Sequence, residues 1–193
     1  MKKKILIVID MQNDFINGTL GTKEAKLIVS KVIDKVKEFQ GESASNEIYV
    51  TRDTHFQEDL SKTQLKYENT QEGRKLPVPH CLKDTKGWQL NPDVQEVLGT
   101  DIKIYDKYTF GSVTLAEDLF QTYQEEIEKD NLQIQLMGLC TDICVISNAM
   151  LLKAYMPNIE IIVDAECCAG VTPESHKNAL EAMKMCQISI INE

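Results

Sequence analysis

The 193-residue chain predicts a three-layer α/β/α fold with right-handed crossovers, and three observations carry that expectation. Short runs of branched apolar residues recur along the chain. Segments with apolar residues three and four apart alternate with those runs. The first run, ILIVI at residues 5–9, is apolar at every position rather than at every second one. A strand tolerates that pattern when both its faces are buried, the condition inside a parallel sheet covered by helices.

Between residues 23 and 39, Ala25, Ile28, Val29, Val32, Ile33, Val36 and Phe39 recur at helical spacing, and QGESASN then breaks the pattern, giving an amphipathic helix followed by a turn. EIYVT at 47–51 and DIKIY at 101–105 are the second and third strands. Ser112 is placed to cap a helix whose apolar stripe is Leu115, Leu119, Phe120, Tyr123 and Ile127. LQIQLM at 132–137 is the fourth strand, and the segment after Asp142 reads as a largely buried helix that stops before Pro157. IEIIV at 159–163 is the fifth strand. Thr172 at the N-cap and Pro173 in the first position open a helix over 173–185, and residues 188–191 close the sheet. Residues 56–92 are the exception: polar and aperiodic, they hold Pro77, Pro79, Pro92 and the single tryptophan, Trp88. A stretch that long is expected to be a lid or binding loop. With no repeat and no low-complexity tract, one domain over 1–193 is expected, its long loop at about 53–92 serving as a binding element.

Composition narrows the function classes. The apolar fraction of 42% and charged fraction of 26% are those of an ordinary globular protein, and a chain of this length buries roughly 70% of its unfolded surface. A net charge of -9 is opposite to what a nucleic-acid surface requires. The basic tip and apolar run at the start end at Asp10, too short for an export signal or a membrane span. The expected setting is the cytoplasm, away from membranes, where the six cysteines stay reduced. We expect a homo-oligomer acting on a small molecule.

In open α/β sheets, ligands sit beyond the carboxyl ends of the strands. Asp10 follows the first strand, Asp53 and His55 the second, Lys107 the third, and Cys140 and Cys144 the fourth. Cys144 falls near a helix start, where backbone N–H groups favour the thiolate, and a nearby lysine would act in the same direction. Asp10, Lys107 and Cys144 together make an acyl-transfer set, competing with a plain reading of turn cap, surface cation and small core residue. Asp53, His55 and His80 suit a divalent transition metal, with Glu72, Glu68, Glu58 and Asp59 as candidates for a further ligand; the alternative is a salt-bridged surface loop. His176 is expected in a surface or capping role. Cys81, Cys167, Cys168 and Cys186 read as inert thiols, and a redox pair of Cys140 and Cys144 is a secondary possibility.

VIDMQNDF at 8–15, TRDTHF at 51–56, EGRKLPVPHC at 72–81, DKYTFGS at 106–112 and GLCTDICV at 138–145 occur in that order and span nearly the whole chain. They resemble the motifs of the isochorismatase-like cysteine hydrolases, and within them the nicotinamidases and pyrazinamidases. The resemblance implies a six-stranded parallel, Rossmann-like sheet and a triad of Asp10, Lys107 and Cys144. It implies that the thiol attacks a carboxamide, that Asp10 carries its proton to departing ammonia, and that water releases the acid from a thioester. It also implies a cis peptide between Leu139 and Cys140, oxyanion contacts from the backbone N–H groups of Cys140 and Cys144, and Phe15 packed on the substrate ring. The implied cofactor is one divalent transition metal held by Asp53, His55 and His80, zinc first, with manganese and iron as alternatives. Many relatives supply another loop histidine, which this chain lacks, and Glu72 is the matching candidate. The family's aromatic three residues before the last loop histidine is Pro77 here. The implied reaction converts nicotinamide to nicotinate and ammonia in NAD salvage; the alternatives are another small amide, ester or vinyl ether, or a redox-active binding module.

Overall fold

The structure is a computed structural model, and it describes residues 2–193. Six strands, β1 (Lys3–Ile9), β2 (Glu47–Asp53), β3 (Lys103–Lys107), β4 (Leu132–Leu139), β5 (Glu160–Ala169) and β6 (Ser189–Ile191), form one sheet in the order β3-β2-β1-β4-β5-β6. Every pairing is parallel. β1 lies at the centre, and Ile5, Leu6, Ile7, Val8 and Ile9 have no exposed surface, as the unbroken apolar run requires.

Helices flank the sheet in two groups. α1 (Asn13–Ile16) and α4 (Pro92–Leu98) pack with α2 (Lys23–Glu42), and α2 lies along β4 and β5. α5 (Val113–Thr122), α7 (Ile146–Tyr155) and α8 (Pro173–Met185) form the second group, with α7 packed on both others. The buried residues of α2 are Ala25, Ile28, Val32, Val36 and Phe39, the stripe its sequence spacing predicts. Caps set the helix starts: Thr22, Ser112 and Thr172 each accept a hydrogen bond from the backbone three residues on.

Several details differ from the sequence expectation. β3 runs two residues further than expected, so Lys107 is its last residue rather than a follower. The helical stripe of 115–127 is split at Tyr123 into α5 and α6 (Gln124–Glu128). The segment expected to be an aperiodic loop is more ordered: it holds a single 3-10 turn (Tyr67–Asn69) and α3 (Gln71–Lys75), and it ends at the start of α4, which Asn91 caps and Pro92 opens. Isolated bridges pair His55 with Leu82, Phe56 with Lys66 and Gln12 with Leu90. Its polar composition reflects a role in covering the sheet end rather than the core, which is why periodicity did not reveal it.

Candidate active site

β1, β2, β3 and β4 are neighbours, so their carboxyl ends deliver Asp10, Asp53, Lys107 and the Cys140–Cys144 segment to one place. Asp10 adopts a positive φ of 47°, a conformation that aspartate tolerates better than most residues. Its carboxylate is fully buried, accepting from Thr51 Oγ1 at 2.7 Å on Oδ1. Lys107 Nζ lies 2.7 Å from Asp10 Oδ2 as an ion pair. The same ammonium is 3.2 Å from Asp53 Oδ1 and donates to Cys144 Sγ at 3.4 Å. One buried cation therefore touches both acids and the thiol.

Cys144 sits in a π-helical turn, Thr141–Val145, inserted between β4 and α7. The Cys140 carbonyl accepts from the amides of both Ile143 and Val145 and closes the turn. The Leu139–Cys140 peptide is cis. Gly138 has φ +124°, and a Cβ there would lie 2.1 Å from the Ile9 carbonyl, so only glycine lets β4 approach β1 this closely. Asn148 of α7 donates to the Cys144 carbonyl at 2.8 Å and to the Phe110 carbonyl, and accepts from the Ser112 amide. The turn is thereby tied to the loop after β3.

Electrostatics correct one expectation. Cys144 precedes the start of α7 at Ile146, and burial pushes its thiol well above the usual range, with Lys107 pulling only partly the other way. Burial thus works against the thiolate at this position, and Lys107 works for it. Burial also works against the Lys107 ammonium, but Asp10, Cys144 and Asp53 outweigh it and hold the pKa well above the lysine value. Burial raises Asp10, offset in part by Lys107. Asp53 goes the other way: burial is overcome by Lys107 and the two imidazoles, which hold its carboxyl well below the usual range. The site thus keeps a firm anion at Asp53, a firm cation at Lys107, and in Asp10 a carboxyl that is readier to accept a proton.

On the far side of Asp53, the side chains of Asp53, His55, Glu72 and His80 bring one ligand atom each within 4.8 Å of one another. His55 Nε2 is buried without a hydrogen-bond partner, although Asp53 Oδ2 is only 2.9 Å away. A buried imidazole nitrogen left without a partner beside a carboxylate is an atom that a shared cation would satisfy. Glu72 Oε1 lies 3.4 Å from His80 Nε2 and 3.8 Å from His55 Nε2. His80 Nδ1 bonds the Val78 carbonyl at 2.9 Å, which leaves Nε2 to face the cluster. This donor set of two imidazoles and two carboxylates fits a divalent transition metal. The other acidic candidates lie elsewhere: Glu68 pairs with Lys66, Asp59 accepts from Lys66 and Asn69, and Glu58 is exposed.

Phe15, in α1, has its ring 5.6 Å from that of His80 and is 8% exposed. Two contributors escaped the sequence reading. Gln12 is fully buried; its amide donates to the Asp53 and Trp88 carbonyls and accepts from the Asp53 amide, so it fixes a cluster residue through its backbone. Tyr67 packs edge-on against both imidazoles and donates its hydroxyl to the Leu76 carbonyl. Gln12 lies inside VIDMQNDF and could have been singled out as a polar residue placed among buried ones; nothing local marks Tyr67. All six cysteines are free, Cys186 being half-buried and Cys81, Cys167 and Cys168 buried.

The isochorismatase domain matches residues 4–192 of the chain. The chain is 26% identical to the nicotinamidase of Saccharomyces cerevisiae over 98% of its own length and 100% of that protein. It is 29% identical to an uncharacterised isochorismatase family protein, PncA, of Bacillus subtilis, over 92% of each chain. Among solved structures, the pyrazinamidase of Pyrococcus horikoshii in complex with zinc superposes with a TM-score of 0.73 at 25% identity, covering 99% of both chains.

Proposed function

Because the chain belongs to the isochorismatase family and is a hydrolase of the nicotinamidase-like kind, we propose that it hydrolyses nicotinamide to nicotinate and ammonia, with Cys144 as nucleophile. The observation that carries this reading is the contact of one buried ammonium, Lys107, with Asp10, Asp53 and the Cys144 sulfur. A thiol whose proton affinity burial raises is helped by a base, and Asp10 is the buried carboxyl beside Lys107. In the first half-reaction the Cys144 sulfur forms a bond to the amide carbon while its proton passes to Asp10. Lys107 meets the negative charge that develops on sulfur. The backbone N–H groups of Cys140 and Cys144 serve the developing oxyanion. Asp10 then protonates the leaving nitrogen, the C–N bond breaks, and ammonia departs from a thioester. Water, deprotonated by Asp10, displaces the sulfur; acid and free thiol result.

The four-residue cluster supports metal dependence, with zinc the first choice, given the zinc-bound pyrazinamidase of similar fold. Asp53, His55, Glu72 and His80 would hold the cation, which when bound supplies a Lewis-acid site for the ring nitrogen. Phe15, against His80, would pack on the ring. A redox pairing of Cys140 with Cys144 has no use for Lys107 or Asp10, so we rank it below hydrolysis.

The direct test is ammonia release from nicotinamide, pyrazinamide and a few aliphatic amides by purified, metal-analysed protein. Turnover of nicotinamide is expected, falling on the order of 10⁴-fold or more in Cys144→Ala. Turnover of aliphatic amides alone would move the substrate to another class within the family, and unchanged activity in Cys144→Ala would remove the thiol from the mechanism.

A further inference from the structure

His176, expected from the sequence to be a surface or capping residue, reaches the turn that carries Cys144. It lies in the first turns of α8, and its Nδ1 shares a hydrogen bond of 2.7 Å with Thr141 Oγ1. Thr141 is fully buried and is the first residue of the π-turn. A second side-chain link runs beside it: both oxygens of Asp142 accept from the Val171 amide, at 3.1 and 3.2 Å.

The helix is built to make this approach. Thr172 and Ser175 form a reciprocal capping box and Pro173 fixes the first helical position, so the start of α8 has one register. Gly170, the residue after β5, has His176 so close that a Cβ would meet the histidine N, Cα and Cβ at 2.9 to 3.0 Å. Any larger residue at 170 would push α8 outward and draw the imidazole away from Thr141. Burial holds the imidazole below the usual histidine range against the opposing charges of Asp142 and Glu193.

We propose that His176 is a positioning residue for catalysis: a strut from α8 that fixes Thr141 and, through it, the orientation of Cys144 in the turn. The inference rests on reading Cys144 as the nucleophile. Asn148 holds the same turn from the α7 side through the Cys144 carbonyl, and Asp142 still meets Val171, so removal of His176 takes away the one tie to the Thr141 side chain and leaves the others in place. A shift of the sulfur by a fraction of the turn's width is enough to lower the rate, because attack requires close alignment with the amide carbon.

His176 is only half-buried, so its truncation opens no sealed cavity, and Thr141→Val keeps the volume of the buried side chain. The test compares His176→Ala, Thr141→Val, the double variant and His176→Asn, whose amide can occupy the place of Nδ1. Nicotinamide hydrolysis gives kcat and KM, and hydrogen–deuterium exchange of the 138–148 segment gives the turn's local opening. His176→Ala is expected to lose about 10- to 100-fold in kcat with KM within about twofold, and to exchange about tenfold faster over 138–148. Thr141→Val should match it, the double variant should be no worse than either single one, and His176→Asn should recover most of both losses. Unchanged kcat in a folded His176→Ala protein overturns the proposal. So does a fall in kcat with unchanged exchange, additive losses in the double variant, or an Asn variant no better than Ala. If wild-type protein hydrolyses no nicotinamide, the functional reading fails separately, and the exchange data still decide whether His176 fixes the turn.

Discussion

Asp10 shows how a single side chain acquires a role from its surroundings. One carboxylate oxygen is held by Thr51 and the other faces Lys107, and burial raises its proton affinity from the ordinary aspartate value. Asp10→Asn keeps the shape and removes the proposed base; a loss of about 10²–10⁴-fold in kcat is expected, with metal content unchanged. A variant that retains full kcat would place the base elsewhere. Tyr49 and Tyr123 give a second prediction, remote from the site. Their hydroxyls are 2.8 Å apart, and Tyr49 also donates to Glu47. Burial chiefly, with the neighbouring Glu47, raises Tyr49 to about 12, and Tyr123 is raised further. An unfolded phenol titrates near about 10, so this pair contributes its stability below that pH and loses it as pH rises toward 12. Urea midpoints of wild type should therefore fall more steeply between those limits than those of Tyr123→Phe; parallel slopes would remove the pair as the cause.

At the level of elements, the site exists because four strand ends meet and because β4 passes directly into a π-turn. The approach of β4 to β1 depends on Gly138, whose φ of +124° and contact with the Ile9 carbonyl leave no room for a Cβ. Gly138→Ala is expected to cost about 2 kcal/mol or more, measured by urea unfolding. It should also lower activity in the protein that remains folded, since the strain lies two residues before Cys140. A stability equal to wild type would show that the strands can separate without consequence. The VIDMQNDF segment acts as a further element-scale device. Asn13 donates to the Lys86 carbonyl, and Asp14 accepts from the Cys81 amide, so the end of β1 clamps the returning limb of the long segment beside His80.

Across the whole molecule, the cluster of Asp53, His55, Glu72 and His80 joins β2 to a segment that otherwise rests on the sheet end through short helices and isolated bridges. A cation bound to the native cluster should stabilise the protein by mass action, by about 2.7 kcal/mol at a hundredfold excess over Kd. For a chain of this size that is a rise in Tm of roughly 5–10 °C with zinc, manganese or ferrous iron, reversed by chelation. Glu72→Ala should weaken metal affinity at least about tenfold and shrink the shift. Equal shifts in wild type and Glu72→Ala would take Glu72 out of the ligand set. No described helix is long and apolar enough to cross a membrane.

The sequence by itself determined the six strands, the long helices α2, α5, α7 and α8, and the residues at the strand ends, because apolar periodicity and strand-end position are local properties of the chain; the short helices α1, α3 and α4 were not legible in it. Asp10, Lys107 and Cys144 were legible as residues that follow or close buried strands, and Asp53, His55, Glu72 and His80 as a spaced ligand set read through family resemblance. Tertiary structure decided the rest. Which ammonium faces which acid, that burial raises the proton affinity of the Cys144 thiol, and that Glu72 rather than Glu68, Glu58 or Asp59 joins the cluster all depend on side chains far apart in sequence. The same holds for Gln12 and His176, whose partners Asp53 and Thr141 lie 41 and 35 residues away, and for Tyr67, which meets His55 and His80 only once the long segment has folded back. Local pattern sets which elements form, whereas proton affinity and ligand geometry follow from burial and distance, which exist only once those elements have packed.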